Sequence, residues 1–113
     1  MDKMTKYKET VKQILQENVD ISRRQPVPGV EKLLIADDQN GHYIWLRLGW
    51  KNGKRQNSIV IQARVKDGKI WVEEDWTDIG FVDQLLEAGV PKEDIVLAFH
   101  APEMRQYTEF AAA

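Results

Sequence analysis

Three dipeptides constrain the fold of this chain more than any other feature: Asn40-Gly41, Asn52-Gly53 and Asp67-Gly68, each lying between runs rich in β-formers. Asn-Gly and Asp-Gly accept the positive φ angles of a two-residue type I′ turn, whose twist matches that of the strands it joins. Three in succession predict an antiparallel meander of four strands, at Val30 to Asp38, His42 to Trp50, Arg55 to Lys66 and Lys69 to Asp75. A two-residue loop at Asn52-Gly53 sets Leu46 opposite Ile59 and Ile44 opposite Ile61. The same step at Asp67-Gly68 sets Val65 opposite Ile70, Ala63 opposite Val72 and Arg64 opposite Trp71.

Alternation along these strands defines two faces. One carries Leu33, Ile35, Ile44, Leu46, Leu48, Ile59, Ile61, Ala63, Val65, Ile70 and Val72, and is expected to be the core. The other carries Leu34, Ala36, Tyr43, Trp45, Arg47, Val60, Gln62, Arg64, Trp71 and Glu73, too aromatic to stand bare in water. Two arrangements satisfy it. Either the N-terminal helix covers one face and the C-terminal segments the other, or both helices cover the core face and leave the second to a homodimer or a partner. On the latter reading Tyr43, Trp45, Arg47, Val60, Arg64 and Trp71 are the candidate partner-binding residues, since Trp, Tyr and Arg dominate interface hot spots.

The flanking segments read as helical. From Lys3 to Asp20 the residues Met4, Tyr7, Val11, Ile14, Leu15 and Val19 recur at helical spacing, and Pro26, Pro28 and Gly29 end the run. Thr77 is the expected N-cap of a second helix carrying Ile79, Val82, Leu85 and Leu86, and Gly89-Val90-Pro91 has the composition of a Schellman stop. Ile95 to Phe99 is an apolar run read as a short helix with a buried extension, and the tail from Ala101 to Phe110 should dock on the domain. The fold class is therefore α+β: an N-terminal helix, a four-stranded meander and C-terminal helical segments packed on the sheet.

Length and composition bound the rest. At 113 residues the chain, 1–113, is expected to be a single domain. The absence of cysteine rules out disulfides and thiolate metal sites, and fits a cytoplasmic location. No run reads as a secretory signal or a membrane span. With 16 Lys+Arg against 18 Asp+Glu the net charge is −2, unlike the basic balance of a dedicated nucleic-acid binder.

Candidate chemistry is sparse. His42 and His100 are the only histidines and share no metal-ligand spacing. His100, near Glu103 and Arg105, reads as a hydrogen-bonded corner. Glu73-Glu74-Asp75 with Asp78 resembles a magnesium cluster, but neighbouring strand residues point to opposite faces, so a solvated strand end is the better reading. No catalytic, cofactor or metal site is expected, and the chain reads as non-enzymatic. Lys51, Lys54 and Arg55, with Trp50 between the strands they flank, are the candidate DNA contacts of an alternative in which basic hairpins hold phosphates and aromatics stack bases.

Lys66-Asp67-Gly68-Lys69-Ile70-Trp71-Val72, the stretch Gly89-Val90-Pro91-Lys92-Glu93-Asp94-Ile95-Val96-Leu97-Ala98-Phe99-His100, and Arg105-Gln106-Tyr107-Thr108-Glu109-Phe110 together resemble the XisI family. Met1-Asp2-Lys3 through Tyr7 and Leu48-Gly49-Trp50 fit the same pattern, and Ala98 stands where the family pattern has glycine. The resemblance implies a controlling factor for excision of the fdxN element, a DNA segment removed when filamentous cyanobacteria form heterocysts. It implies action beside an XisH-like protein and a site-specific recombinase, and it carries no catalytic residues. The function expected is an accessory factor that controls excision by protein–protein binding, with direct DNA binding as the alternative.

Overall fold

The computed structural model describes residues 2–113. Helix α1 spans Lys3–Arg23, strands β1 to β4 span Val30–Asp37, His42–Lys51, Lys54–Lys66 and Lys69–Asp75, and α2 spans Phe81–Glu87. A 3-10 turn at Lys92–Asp94 leads into β5 at Ile95–Leu97, and α3 spans Pro102–Arg105. The sheet order is β1-β2-β3-β4-β5, with the first four strands antiparallel and β5 parallel to β4. The α+β class and the meander stand as expected; the fifth strand does not. Ile95 and Val96, β-branched and fully buried, pair with Ile70 and Trp71 along the edge that β4 leaves free, so the run expected to be helical is a strand.

Helix α1 begins where Asp2 accepts a hydrogen bond from the Thr5 backbone N–H at 2.8 Å. Its stripe Tyr7, Val11, Leu15 and Val19 is buried against the sheet and α2. Asn18, also buried, exchanges amide hydrogen bonds with Gln84 of α2, at 2.9 and 3.2 Å. Both helices therefore lie on one face. Helix α2 starts at Phe81 after Gly80, not at Thr77, whose N–H and hydroxyl are instead held by the Asp75 carboxylate at 2.9 and 2.6 Å. Ile79 consequently lies outside the helix. The Schellman stop forms as the sequence suggests: Gly89 N–H reaches the Leu86 carbonyl and Val90 N–H the Leu85 carbonyl, both at 3.0 Å, with Gly89 at φ 94°.

Two of the three turns have positive φ at both central residues, Asn52 and Gly53 and then Asp67 and Gly68. At Asn40-Gly41 the loop is longer, because Asp37 pairs with His42 and its carboxylate binds the Asn40 N–H and side-chain amide at 3.1 and 2.7 Å. The hairpin register begins as expected, Leu46 opposite Ile59, then shifts at a β-bulge: Trp45 faces Ile61 and Ile44 faces Gln62. Val60 is the extra residue. The shift reverses the predicted faces of β1 and β2 relative to the rest of the sheet. Tyr43 and Trp45 join Ile61, Ala63, Val65, Ile70 and Val72 beneath the helices, while Leu33, Ile35, Ile44, Leu46, Leu48 and Ile59 fall on the opposite face.

The first helix is clamped to the start of β5. The Tyr7 hydroxyl donates to the Asp94 carboxylate, and Lys3 Nζ lies 2.9 Å from it. Burial, reinforced by Asp94, pushes the Tyr7 phenol up to about 12. Burial acts to raise the Asp94 carboxyl, but the bonds from Tyr7 and Lys3 hold it below its ordinary value. A depressed folded value stabilises the protein above the unfolded carboxylate value of 3.8, and that contribution disappears as pH falls through the folded value. Tyr7→Phe is expected to cost about 1–2 kcal/mol near neutrality, with the gap from wild type narrowing in thermal melts run from about pH 6 to about pH 2.

Backbone crowding supplies a second expectation. A Cβ on Gly49 would stand 1.9 Å from the Gly29 carbonyl oxygen, whereas one on Gly53 meets nothing within 4 Å. Gly49→Ala should cost about 3 kcal/mol and Gly53→Ala about 1 kcal/mol, a difference that urea-denaturation midpoints resolve.

Candidate protein-interaction surface

The bulge at Val60 leaves the helix-free face of the sheet aliphatic. Leu33, Leu46, Leu48, Ile44 and Ile59 are half-buried there by one another, and Ile35 is 47% exposed. At the β4–β5 end this face is partly covered by the chain itself, since the C-terminal tail docks as expected. Phe110 packs against the core, Ala111 bridges Val96, and Arg105 stands 5.7 Å from the Trp71 ring centroid. Lys66 lies over the same ring at 4.5 Å, and the Trp71 indole N–H donates to the Lys66 carbonyl at 3.1 Å. Arg64 is paired with Trp71 across the strands, as the hairpin predicts, and lies 3.8 Å from Glu73.

The six residues proposed from the sequence as partner-binding do not share a surface. Tyr43, Trp45 and Val60 are buried beneath the helices, because the bulge turns β2 over; as surface contacts they are corrected. The Tyr43 hydroxyl donates to Asp38 at 2.9 Å, and Lys12 of α1 binds the same carboxylate at 2.9 Å. Burial, then the Asp38 carboxylate, raises the Tyr43 phenol, while the bonds from Lys12 and Tyr43 lower the Asp38 carboxyl. The Trp45 indole N–H is buried without a partner among the described residues. Arg64 and Trp71 do lie on the open face, and Arg47 is exposed beside a groove of about 190 Å³ formed with Ser58, Ile59, Val60 and Trp76.

The aliphatic patch was missed because a bulge interrupts alternation. The one signal available was Ile59-Val60-Ile61, three apolar residues in a row where a half-buried strand should alternate.

The remaining candidates stay apart. His42 approaches the Gln62 amide at 2.7 Å. His100 is exposed, at a corner where Arg105 donates to the His100 and Ala98 carbonyls at 3.0 and 3.1 Å. Glu73, Glu74 and Asp75 line a groove of about 480 Å³ with Trp76 and Phe99, and among the described residues no three acidic or histidine side chains are placed to hold a metal ion. Lys51, Lys54 and Arg55 are exposed at the tip of the β2–β3 hairpin, where Arg55 stands 5.6 Å from the ring of Trp50. Among the described residues no helix is long and apolar enough to cross a membrane.

A two-layer α+β protein with α1 and α2 on one sheet face and an aliphatic surface on the other is the class these features define. The chain belongs to the XisI family, matching the XisI protein family over residues 1–112. It is similar to the fdxN element excision controlling factor XisI of Anabaena variabilis, with 43% identity, a TM-score of 0.87, and coverage of 99% of this chain and 100% of that one. It is also similar to a XisI-like protein of the same organism, at 40% identity and a TM-score of 0.90, covering 97% and 99% of the respective chains. No curated protein sequence matches it.

The two sheet faces answer differently to charge. Trp45→Glu, buried and unpaired, should destabilise the protein by roughly 4 kcal/mol or more, whereas Ile35→Glu should stay folded within about 1 kcal/mol of wild type. Circular dichroism melts of the two variants check this.

Proposed function

We propose that this chain is a non-enzymatic accessory factor that controls recombinase-dependent excision of a DNA element by binding a protein partner, an XisH-like protein or the recombinase itself. The binding surface is the open sheet face, with Leu33, Ile35, Ile44, Leu46, Leu48 and Ile59 at its centre and Arg64 and Trp71 at one end. The observation that carries this reading is the face itself: six aliphatic side chains together on one side of the sheet, with neither α1 nor α2 over them. Patches of that kind on a small protein mark interaction sites. Membership of the XisI family, and likeness to a protein described as the fdxN element excision controlling factor, support the assignment of the process. On this reading the protein works in the cytoplasm alongside the chromosome, and the excision is of the kind that accompanies heterocyst formation.

A second reading has a specific observation in its favour, the clustering of Lys51, Lys54 and Arg55 beside Trp50, which is 58% exposed, at one hairpin tip. Those groups would hold DNA phosphates directly, and salt separates the two cases. An apolar protein interface responds weakly to ionic strength, whereas phosphate contacts weaken binding steeply.

The test is purification of the tagged protein from its host, with mass spectrometry of what accompanies it. Wild type should bring down an XisH-like protein or a recombinase, and folded Ile35→Glu should lose it by about tenfold or more. Capture undiminished by Ile35→Glu, or recovery of DNA alone with a steep salt dependence, would overturn the proposal.

A further inference from the structure

Strand β4 is shorter than the strand it accompanies. β3 runs from Lys54 to Lys66, but β4 pairs with it only from Ile61 to Lys66, and the next bond in line is Trp76 N–H to the Val60 carbonyl at 2.9 Å. Beyond that point β3 has β2 on one side and pairs with no strand on the other among the described residues. Lys51 and Lys54 close the two-residue turn, so alternation directs the N–H and C=O of Lys54, Gln56 and Ser58 towards β2 and those of Arg55, Asn57 and Ile59 outward.

Elsewhere the sheet edges are covered at single points. Ala111 N–H binds the Ile95 carbonyl on β5 at 2.8 Å. On β1 the Arg23 guanidinium takes the Lys32 carbonyl at 3.0 and 2.7 Å. An edge left unpaired is a template for another strand.

The surroundings select the charge of that strand. Residues 47–59 contain Arg47, Lys51, Lys54 and Arg55 and no acidic residue, and the acidic Glu73, Glu74 and Asp75 lie beyond Trp76, at the end of the edge away from Arg55. Trp76, 78% exposed, stands where β4 would have continued, and the groove of about 190 Å³ between it, Arg47, Ser58, Ile59 and Val60 runs beside the edge.

We propose that the β3 edge from Arg55 to Ile59 receives an extended acidic segment of a partner protein, which adds as a strand in line with β4. Three outward residues correspond to a segment of about five or six residues at strand rise. A second copy of this chain is disfavoured as the occupant, because it would bring two sets of like charges together. This edge is distinct from the aliphatic face, and the inference stands whatever that face binds.

Amide hydrogen exchange followed by NMR tests it, using a blocked hexapeptide that alternates Glu with Val and Thr, a counterpart with Lys in place of Glu, and a ten-nucleotide oligothymidylate. The acidic peptide should slow exchange at Arg55, Asn57 and Ile59 by about tenfold or more while the Lys peptide leaves it unchanged, and Lys54→Glu with Arg55→Glu should reverse that preference. The inference is overturned by equal response to both peptides, by no slowing at all, or by slowing in peptide-free protein that grows with concentration. Displacement of the acidic peptide by oligothymidylate, with those amides left open, would overturn it as well.

Discussion

Docking of α1 across one face of the sheet sets the rest of the structure. Tyr7, Val11, Leu15 and Val19 form a single stripe, and a single stripe can cover a single surface. Helix α2 could have covered the other side, but the Asn18–Gln84 amide pair and the burial of Phe81 and Leu85 in the same core place it beside α1. A buried amide pair of this sort is directional: each partner satisfies the other, and neither side chain could be buried against the opposite, aliphatic face without losing its hydrogen bonds. The uncovered sheet face is thus a consequence of where the helices must go.

The Val60 bulge decides which residues that face exposes. By inserting one residue in β3 it brings Trp45 opposite Ile61, so Tyr43 and Trp45 of β2 are buried and its aliphatic residues are displayed. The β3–β4 pair has a register shift of its own, between Gln62 and Ala63, and beyond it Trp76 binds the Val60 carbonyl, where pairing ends and the far half of β3 is left free. Two neighbouring irregularities, one on each side of β3, precede the open face and the open edge.

Much of this was legible in the amino-acid order. The turns at Asn52-Gly53 and Asp67-Gly68, the stripe of α1 and the stop at Gly89-Val90 rest on strong local chemistry, and each formed as the residues suggest. Asn40-Gly41 misled because the Asp37 carboxylate makes a competing local turn. β5 was hidden because three residues carry no period of their own, and only the vacant edge of β4 determines that Ile95–Leu97 is extended. Arg64 and Trp71 fall on the face expected of them because they lie between the Asp67-Gly68 turn and the first register shift of that hairpin, whereas Tyr43, Trp45 and Val60 were misplaced because they lie at or beyond the bulge. Charge was legible locally as well as in sum. Behind the net value of −2 stand a basic hairpin tip and an acidic stretch at the end of β4, set against different parts of β3.

The clamp at the beginning of β5 has a topological consequence. Lys3 and Tyr7 hold Asp94 from one direction, and Ala111 holds Ile95 from the other, so α1 and the segment after α3 are fastened at two consecutive residues. A nick at the unencumbered Asn52-Gly53 tip would therefore leave the helix stripe and this fastening intact.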